Sequence, residues 1–320
     1  MASSSTVRVT SLFTVCDLPM LDPFWLWAVF TLLAAAGQTA RNAMQRELTA
    51  SLGTVGATHV RFLFGFPFAL VFLAGVVLAT GLALPRPGPV FVPWVLLGAL
   101  AQIAATALML AAMSQRSFVV TVAYIKTEPV QVAIFGLLFL GDTVTVPMMA
   151  AIIIATAGVI VMSFKPGASA SGGVRPTLVG LAAGGMFALS AIGYRGAILS
   201  LNHQSYVMAA TFTLAVGLVL QAALLTAYLA LRDRAVLGAI AAQWRRSLFA
   251  GFMGATASEF WFLAFALATA ASVRTLALVE VLFAQAISAF IFKQATSARE
   301  GVGMAMIVIG VIVLIWAHPS

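Results

Sequence analysis

Three carboxylates, Glu128, Glu259 and Glu280, each sit near the middle of a long apolar run. A charge at such a place costs roughly 2.5–3.5 kcal/mol on membrane-insertion scales, so it marks either a proton or solute pathway or an ion pair. Glu128 and Glu280 are therefore candidate proton-coupling groups. The alternative is an ion pair that ties helices together, with Lys126, Arg61 or Arg195 as the cation. Glu259, beside Ser258, Trp261 and Phe262, leans towards the structural role. At 100° per residue Lys126 and Glu128 point about 160° apart on a continuous helix and do not pair with each other. Tyr124, Glu128, Gln131 and Phe135 do share a face. That face suits a polar or zwitterionic solute with an apolar part. Lys126 lies about 12 Å into its helix, at the limit of snorkelling reach, and must either find a partner on another helix or snorkel.

The remaining polar groups have plainer expectations. Pro129 removes a backbone donor and kinks the fourth helix, either as a structural feature or as one that shapes a cavity. Arg61 and Arg195 lie within about two turns of their run ends, where snorkelling accounts for them; a gating role is the alternative. His59 is expected at the interface. Phe64-Gly65-Phe66-Pro67 marks a kinked point, and Gln102, Gln131, Gln221 and Gln285 are expected to bridge helices.

The elements that hold these residues follow from composition. The chain has 320 residues, 62% hydrophobic and 8% charged, with a mean hydropathy of +1.08. Soluble domains carry about 25% charged residues, so this is an all-α polytopic membrane protein in contact with the lipid bilayer. The net charge of +8 sits mostly between apolar runs, which is a topology signal and not a nucleic-acid surface. Cys16 is the single cysteine, and His59, His203 and His318 are scattered. Neither HExxH nor GxxxxGK[ST] occurs, which excludes a zinc-protease site and a nucleotide-binding loop. No metal, cofactor or enzymatic centre is expected.

Ten apolar runs can be drawn, approximately Phe24–Ala40, Gly56–Thr80, Val92–Met113, Phe118–Leu140, Val146–Phe164, Thr177–Ala197, Tyr206–Leu231, Leu248–Thr269, Val273–Phe292 and Val302–Trp316. Residues 1–22 read as a disordered tail, 23–165 as a first five-helix unit, 166–176 as a Gly/Ala/Ser linker and 177–317 as a second unit. The two units align. Glu280 lies 152 positions after Glu128, and the same offset carries Gly158-Val159-Ile160-Val161 onto Gly310-Val311-Ile312-Val313. Arg41 falls on Arg195 at an offset of 154. Five crossings per unit is odd, so the second copy enters the membrane inverted, the geometry of alternating access. Loop arginines and lysines concentrate on one side, with Arg8, Arg86 and Arg274 on the other. By the positive-inside rule both termini are then outside.

The paired units, the equivalent Glu128 and Glu280, and the Gly158 and Gly310 patterns resemble the drug/metabolite transporter superfamily, in its EamA-like ten-helix branch. The resemblance covers about Phe24 to Trp316 and is stronger for fold than for substrate. It implies a secondary carrier, often an exporter, of amino acids and derivatives, sugar phosphates, nucleotide sugars or drugs. It implies a cavity walled by the third, fourth, eighth and ninth helices. Carried over by position, that places Tyr124, Lys126, Glu128, Gln131, Glu259, Trp261 and Glu280 at a substrate site. It also implies a plasma membrane, the inner membrane in a bacterium, and cytoplasmic termini, against the arginine count. The expected function is transport of a small polar solute, amino-acid-like and proton-coupled. A flippase of lipid-linked substrate and a non-transporting sensor or scaffold are the alternatives. One chain encloses its own cavity, so a monomer suffices and a homodimer remains open.

Overall fold

The computed structural model describes residues 23–115, 124–163, 174–290 and 297–317. The expected N-terminal tail and most of the expected linker lie outside these residues. Every regular element described is helical. Helix α1 runs Pro23–Leu63 and bends at Gly53, whose φ of 68° is the left-handed region that glycine tolerates. Helix α2 (Phe66–Thr80) follows a two-residue break with Pro67 in its first turn, where a missing N–H costs nothing. Next come α3 (Phe91–Gln115), α4 (Glu128–Phe135, continued by a π-helical turn over Gly136–Leu140), α5 (Val146–Ser163) and α6 (Val174–Ser200). Then follow α7 (Tyr206–Arg232), a short α8 (Arg234–Ala242), α9 (Trp244–Leu267), α10 (Ala270–Leu276), a 3-10 turn (Ala277–Val279), α11 (Glu280–Phe290) and α12 (Ala298–Ala317).

Seven helical spans among the described residues are long and apolar enough to cross a membrane. They coincide with the second, third, fifth, sixth, seventh, eighth and tenth apolar runs. Trp25–Thr39 and Glu128–Leu140 are shorter apolar helices. The ninth run is not one helix: it is divided by the 3-10 turn between α10 and α11. The start of the sixth run also differs from expectation, because Val174 already begins α6 within the stretch read as linker. The outward faces are apolar, as with Leu78 and Leu231, which are 85% and 83% exposed. In a soluble protein such faces would be a liability; here they meet lipid. The protein is an integral, multi-pass, all-α membrane protein.

Lipid gives helices no hydrophobic reason to associate, so close packing over small residues must do it. Three contacts dominate: α3 with α6, α5 with α12, and α1 with α9. Ala34, Ala35, Ala57, Ala99, Ala105 and Ala257 are fully buried along these seams. The α5–α12 seam is close-packed at Gly158 and Gly310. A Cβ on Gly158 would lie 2.7 Å from the Gly303 carbonyl oxygen, and one on Gly310 would lie 2.7 Å from Ala155 Cβ.

Two polar expectations change with this architecture. His59 is fully buried between helices, with Nε2 3.1 Å from Thr226 Oγ1, and does not face solvent. Arg61 is 4% exposed and does not snorkel. Both lie just before the α1–α2 break, inside a bent helix longer than the apolar run alone suggests. The basic stretch after α7 forms the α8 helix, with Arg232, Arg234 and Arg245 exposed and the Arg245 guanidinium 5.4 Å over the Trp244 ring, as at a membrane interface.

Gly158→Ala is expected to destabilise the protein by about 1–3 kcal/mol, because the added methyl meets backbone that cannot yield cheaply. Gly75→Ala, where a Cβ meets nothing within 4 Å on the exposed face of α2, is expected to be neutral or slightly stabilising. Thermal melts in detergent compare the two.

Candidate functional site

The fourth and ninth runs break next to their glutamates. After Tyr124 and Ile125 the chain turns at Lys126-Thr127, held by Thr127 Oγ1 donating to the Tyr124 carbonyl at 2.7 Å, and α4 begins at Glu128. Pro129 sits in the first turn of α4, so it starts the helix after the break and does not kink one in mid-course. In the ninth run the 3-10 turn ends at Val279, and α11 begins at Glu280. Each carboxylate thus stands at the first residue of an α-helical segment, although the Glu280 N–H is still bonded to the Ala277 carbonyl across the 3-10 turn.

The two breaks face each other, and their charges cross. Lys126 Nζ pairs with Glu280 Oε1, and Glu280 Oε2 also accepts from Gln38 Nε2 at 3.2 Å. Arg274, on α10, brings Nε to 3.0 Å from Glu128 Oε1. This second contact is a charge pair without hydrogen-bond alignment, since both atoms lack a hydrogen-bond partner. The Arg274 guanidinium also lies flat over Trp261, 4.4 Å from the ring centroid, and 5.5 Å from that of Phe265. All four charged groups are at least nine-tenths buried. Such pairs hold only because each charge neutralises the other in a medium of low dielectric.

Beside this cross lies a small cavity bounded by Gln38 and Arg61 of α1, Gln102 of α3, Tyr194 of α6, Trp261 of α9 and Arg274. Its free space would take about one water molecule. Arg61 donates to Thr106 Oγ1 at 3.3 Å, and its stem passes Gly254 together with that of Arg41. A Cβ on Gly254 would meet Arg41 Cδ at 3.5 Å and Arg61 Cγ at 3.6 Å. Gln102 Oε1 accepts from Gln221 Nε2 at 2.9 Å and from the Tyr194 hydroxyl at 3.4 Å, so these amides do bridge helices.

The sequence-based set divides accordingly. Lys126, Glu128 and Glu280 come together, and Trp261 and Arg61 line the adjoining cavity. Tyr124 and Gln131 turn towards α6 instead. A Cβ on Gly180 would meet Tyr124 Cβ at 2.8 Å, and one on Gly185 would meet Gln131 Oε1 at 2.8 Å. Gln131 also donates to Thr127 Oγ1 at 3.1 Å. Glu259 accepts from Thr211 Oγ1 at 2.5 Å on the α7 side and is not part of the cavity wall. Arg195 pairs with Asp142 at 3.4 Å and donates to the Phe265 and Ala268 carbonyls, so it serves none of the glutamates.

Arg274 and Gln38 were not anticipated. Arg274 reads as a loop residue because it stands at the edge of an apolar run, yet it is 8% exposed and faces Glu128. One signal pointed to it: Glu128 and Glu280 are two buried carboxylates, while the fourth and ninth runs offer only Lys126 and Arg274 as cations.

Replacing Lys126 by Met should destabilise the protein by about 3–5 kcal/mol, because Glu280 is left buried without its cation. Adding Glu280→Gln to that variant should recover much of the loss, giving a coupling energy of about 1–3 kcal/mol in a double-mutant cycle. Additive effects in thermal unfolding would show that the pair carries no stability.

Comparison with known proteins adds a family match over part of the chain and a fold. No curated protein matches the chain. Among solved structures, one described only as a crystal structure of a protein superposes with a TM-score of 0.64 at 18% identity. That alignment covers 91% of this chain and 94% of the other, so the whole bundle shares its fold. Among the described residues no group of three or more His, Cys, Asp and Glu is placed to hold a metal ion. Residues 25–164, from the first tryptophan of α1 to the end of α5, match the EamA-like transporter family, a family of transporters and not of enzymes.

Proposed function

We propose that this protein is a secondary transporter of a small polar solute, working by alternating access between two inverted five-helix repeats. The observation that carries the proposal is the crossed pairing of Lys126 with Glu280 and of Glu128 with Arg274. It joins the broken fourth and ninth helices at corresponding places in the two halves. The helix contacts support the repeat. Exchanging the halves turns the α3–α6 contact into α1–α9, and turns α5–α12 and α2–α7 into themselves. The family matched by residues 25–164 supports transport.

In this reading the breaks are the moving parts. Backbone freed from regular hydrogen bonding is tolerated inside a membrane where protein or a cavity surrounds it, and such discontinuous helices flank transporter sites. The cavity beside the cross is nearly filled in this conformation, so solute enters only when the halves rock apart on one side. Separating either ion pair in that motion leaves a buried carboxylate, and a proton neutralises it. Glu128 and Glu280 thereby couple proton movement to the change of state. Residues 23–165 and 177–317 are the two repeats, and the plasma membrane is the expected site.

Reconstituted proteoliposomes exposed to a defined mixture of metabolites should trap one or more solutes above protein-free vesicles, with an imposed pH gradient increasing the amount. Glu128→Gln and Glu280→Gln should each remove the pH-driven component. Undiminished pH-driven uptake by both variants would sink the carboxylate mechanism.

A further inference from the structure

The cavity beside the crossed ion pairs has a one-sided chemistry. Two of its wall groups are guanidiniums, Arg61 and Arg274. Arg274 is matched to Glu128, but Arg61 has no carboxylate partner among the described residues; its contacts are Thr106 and the face of Phe62. Arg61 Nε and Trp261 Nε1 are buried and make no hydrogen bond, and Arg274 Nε makes none either. All three are donors. Among the wall's acceptors Gln102 Oε1 takes two hydrogen bonds, and the neighbouring carboxylate of Glu280, outside the wall, takes Lys126 and Gln38. Buried acceptors without a hydrogen bond, Glu128 Oε1, Asp142 Oδ2, Gln221 Oε1 and Glu259 Oε2, belong to residues outside this wall, and Glu128 Oε1 is held by the charge of Arg274.

A buried donor left unmade costs about 1–3 kcal/mol, more for a charged group, so a wall holding several of them calls for an acceptor. A guanidinium with no carboxylate calls for a negative one. The rest of the wall is aromatic: Trp261, Phe262, Phe265 and Phe187, with the Tyr194 ring 4.6 Å from that of Phe262.

We infer that this cavity is an anion subsite, and that the solute is an organic anion with an apolar body and no cationic group. The inference rests on the proposed transport role for its meaning, though not for its binding chemistry. Once the halves part and widen the cavity beyond its present one-water space, anion oxygens accept from Arg61 and from the Trp261 indole N–H, and the apolar body lies against the aromatic rings. An amino acid would bring an ammonium group into a wall that offers it no free carboxylate, so a zwitterion is disfavoured. This narrows the sequence-based expectation of an amino-acid-like solute.

Three probes with the same ring and different charge test it: benzoate, benzylamine and phenylalanine, each titrated against the purified protein in detergent. Benzoate should raise the melting temperature saturably, as a ligand of the folded state does, and the other two should not. Trp261→Phe removes the N–H while keeping an aromatic ring in the wall and should weaken benzoate about tenfold. Arg61→Gln should weaken it by more than tenfold, and Arg61→Lys, which keeps the charge, should restore part of the loss. Saturable binding of benzylamine or phenylalanine without benzoate, or benzoate binding unaffected by both Trp261→Phe and Arg61→Gln, would overturn the assignment. Uptake separates this from the transport reading, using benzenesulfonate, which stays charged and does not cross lipid unaided. Vesicles that accumulate amines or zwitterions but not benzenesulfonate leave transport standing and remove the anion subsite. Vesicles that accumulate nothing, beside protein that binds benzoate as predicted, do the reverse.

Discussion

The crossed pair of salt bridges constrains everything around it. Lys126, Glu128, Arg274 and Glu280 are charges in a bundle whose other faces meet lipid. None could be held there singly, because an isolated ion in that medium carries a desolvation penalty of several kcal/mol even after relaxation. Pairing across the two broken helices removes most of the penalty, and it does so only at one relative position of those helices. The breaks are part of the same solution. A continuous helix would carry Lys126 and Glu128 to opposite sides. The turn at Lys126-Thr127 lets the lysine reach Glu280 while Glu128, in the first turn of α4, meets Arg274.

The remaining packing keeps that register. Small residues along α3–α6, α1–α9 and α5–α12 allow backbones to approach closely, and Gly158 and Gly310 leave no room for a methyl group. Polar contacts that look like candidates for chemistry serve the same end. Arg195 clamps the carbonyls at the end of α9 and reaches Asp142, which ties the end of the π turn to α6. Gln102, Gln221 and Tyr194 form a network between α3, α6 and α7. These contacts bridge helices and so fix geometry. Three buried donors without a hydrogen bond, Arg61 Nε, Trp261 Nε1 and Arg274 Nε, lie in the cavity wall.

How much of this was readable in the sequence depends on what carried each signal. Helix positions were legible because hydropathy dictates them: seven of the ten runs reappear as membrane-length spans. The importance of Glu128 and Glu280 was legible because a glutamate is rare in such runs. Partners were not, because a one-dimensional helical projection assumes the helix continues, and it fails at the turn after Ile125 and at the 3-10 turn before Glu280. That assumption put Tyr124 and Gln131 on the Glu128 face, whereas they pack on the glycines of α6. Arg61 and His59 were misplaced for a related reason. Depth was counted from the end of an apolar run, but the helix extends back through Gly53 to Pro23. Arg274 was lost because a hydropathy boundary was taken for a helix end.

The cross is symmetric in its carboxylates and asymmetric in its cations, and the asymmetry matters. Glu128 and Glu280 are 152 positions apart and begin corresponding helices, but the lysine stands two residues before its glutamate and the arginine six before the other. The lysine ammonium is a compact, strongly hydrated charge. The arginine is planar and weakly hydrated, and it stacks on Trp261 as well as facing Glu128. In the proposed transport cycle, parting Lys126 from Glu280 exposes an ion that water solvates well, whereas parting Arg274 from Glu128 must also peel the guanidinium off its indole. The two separations then differ in energy, and Trp261 sets part of the difference through the same ring that borders the cavity.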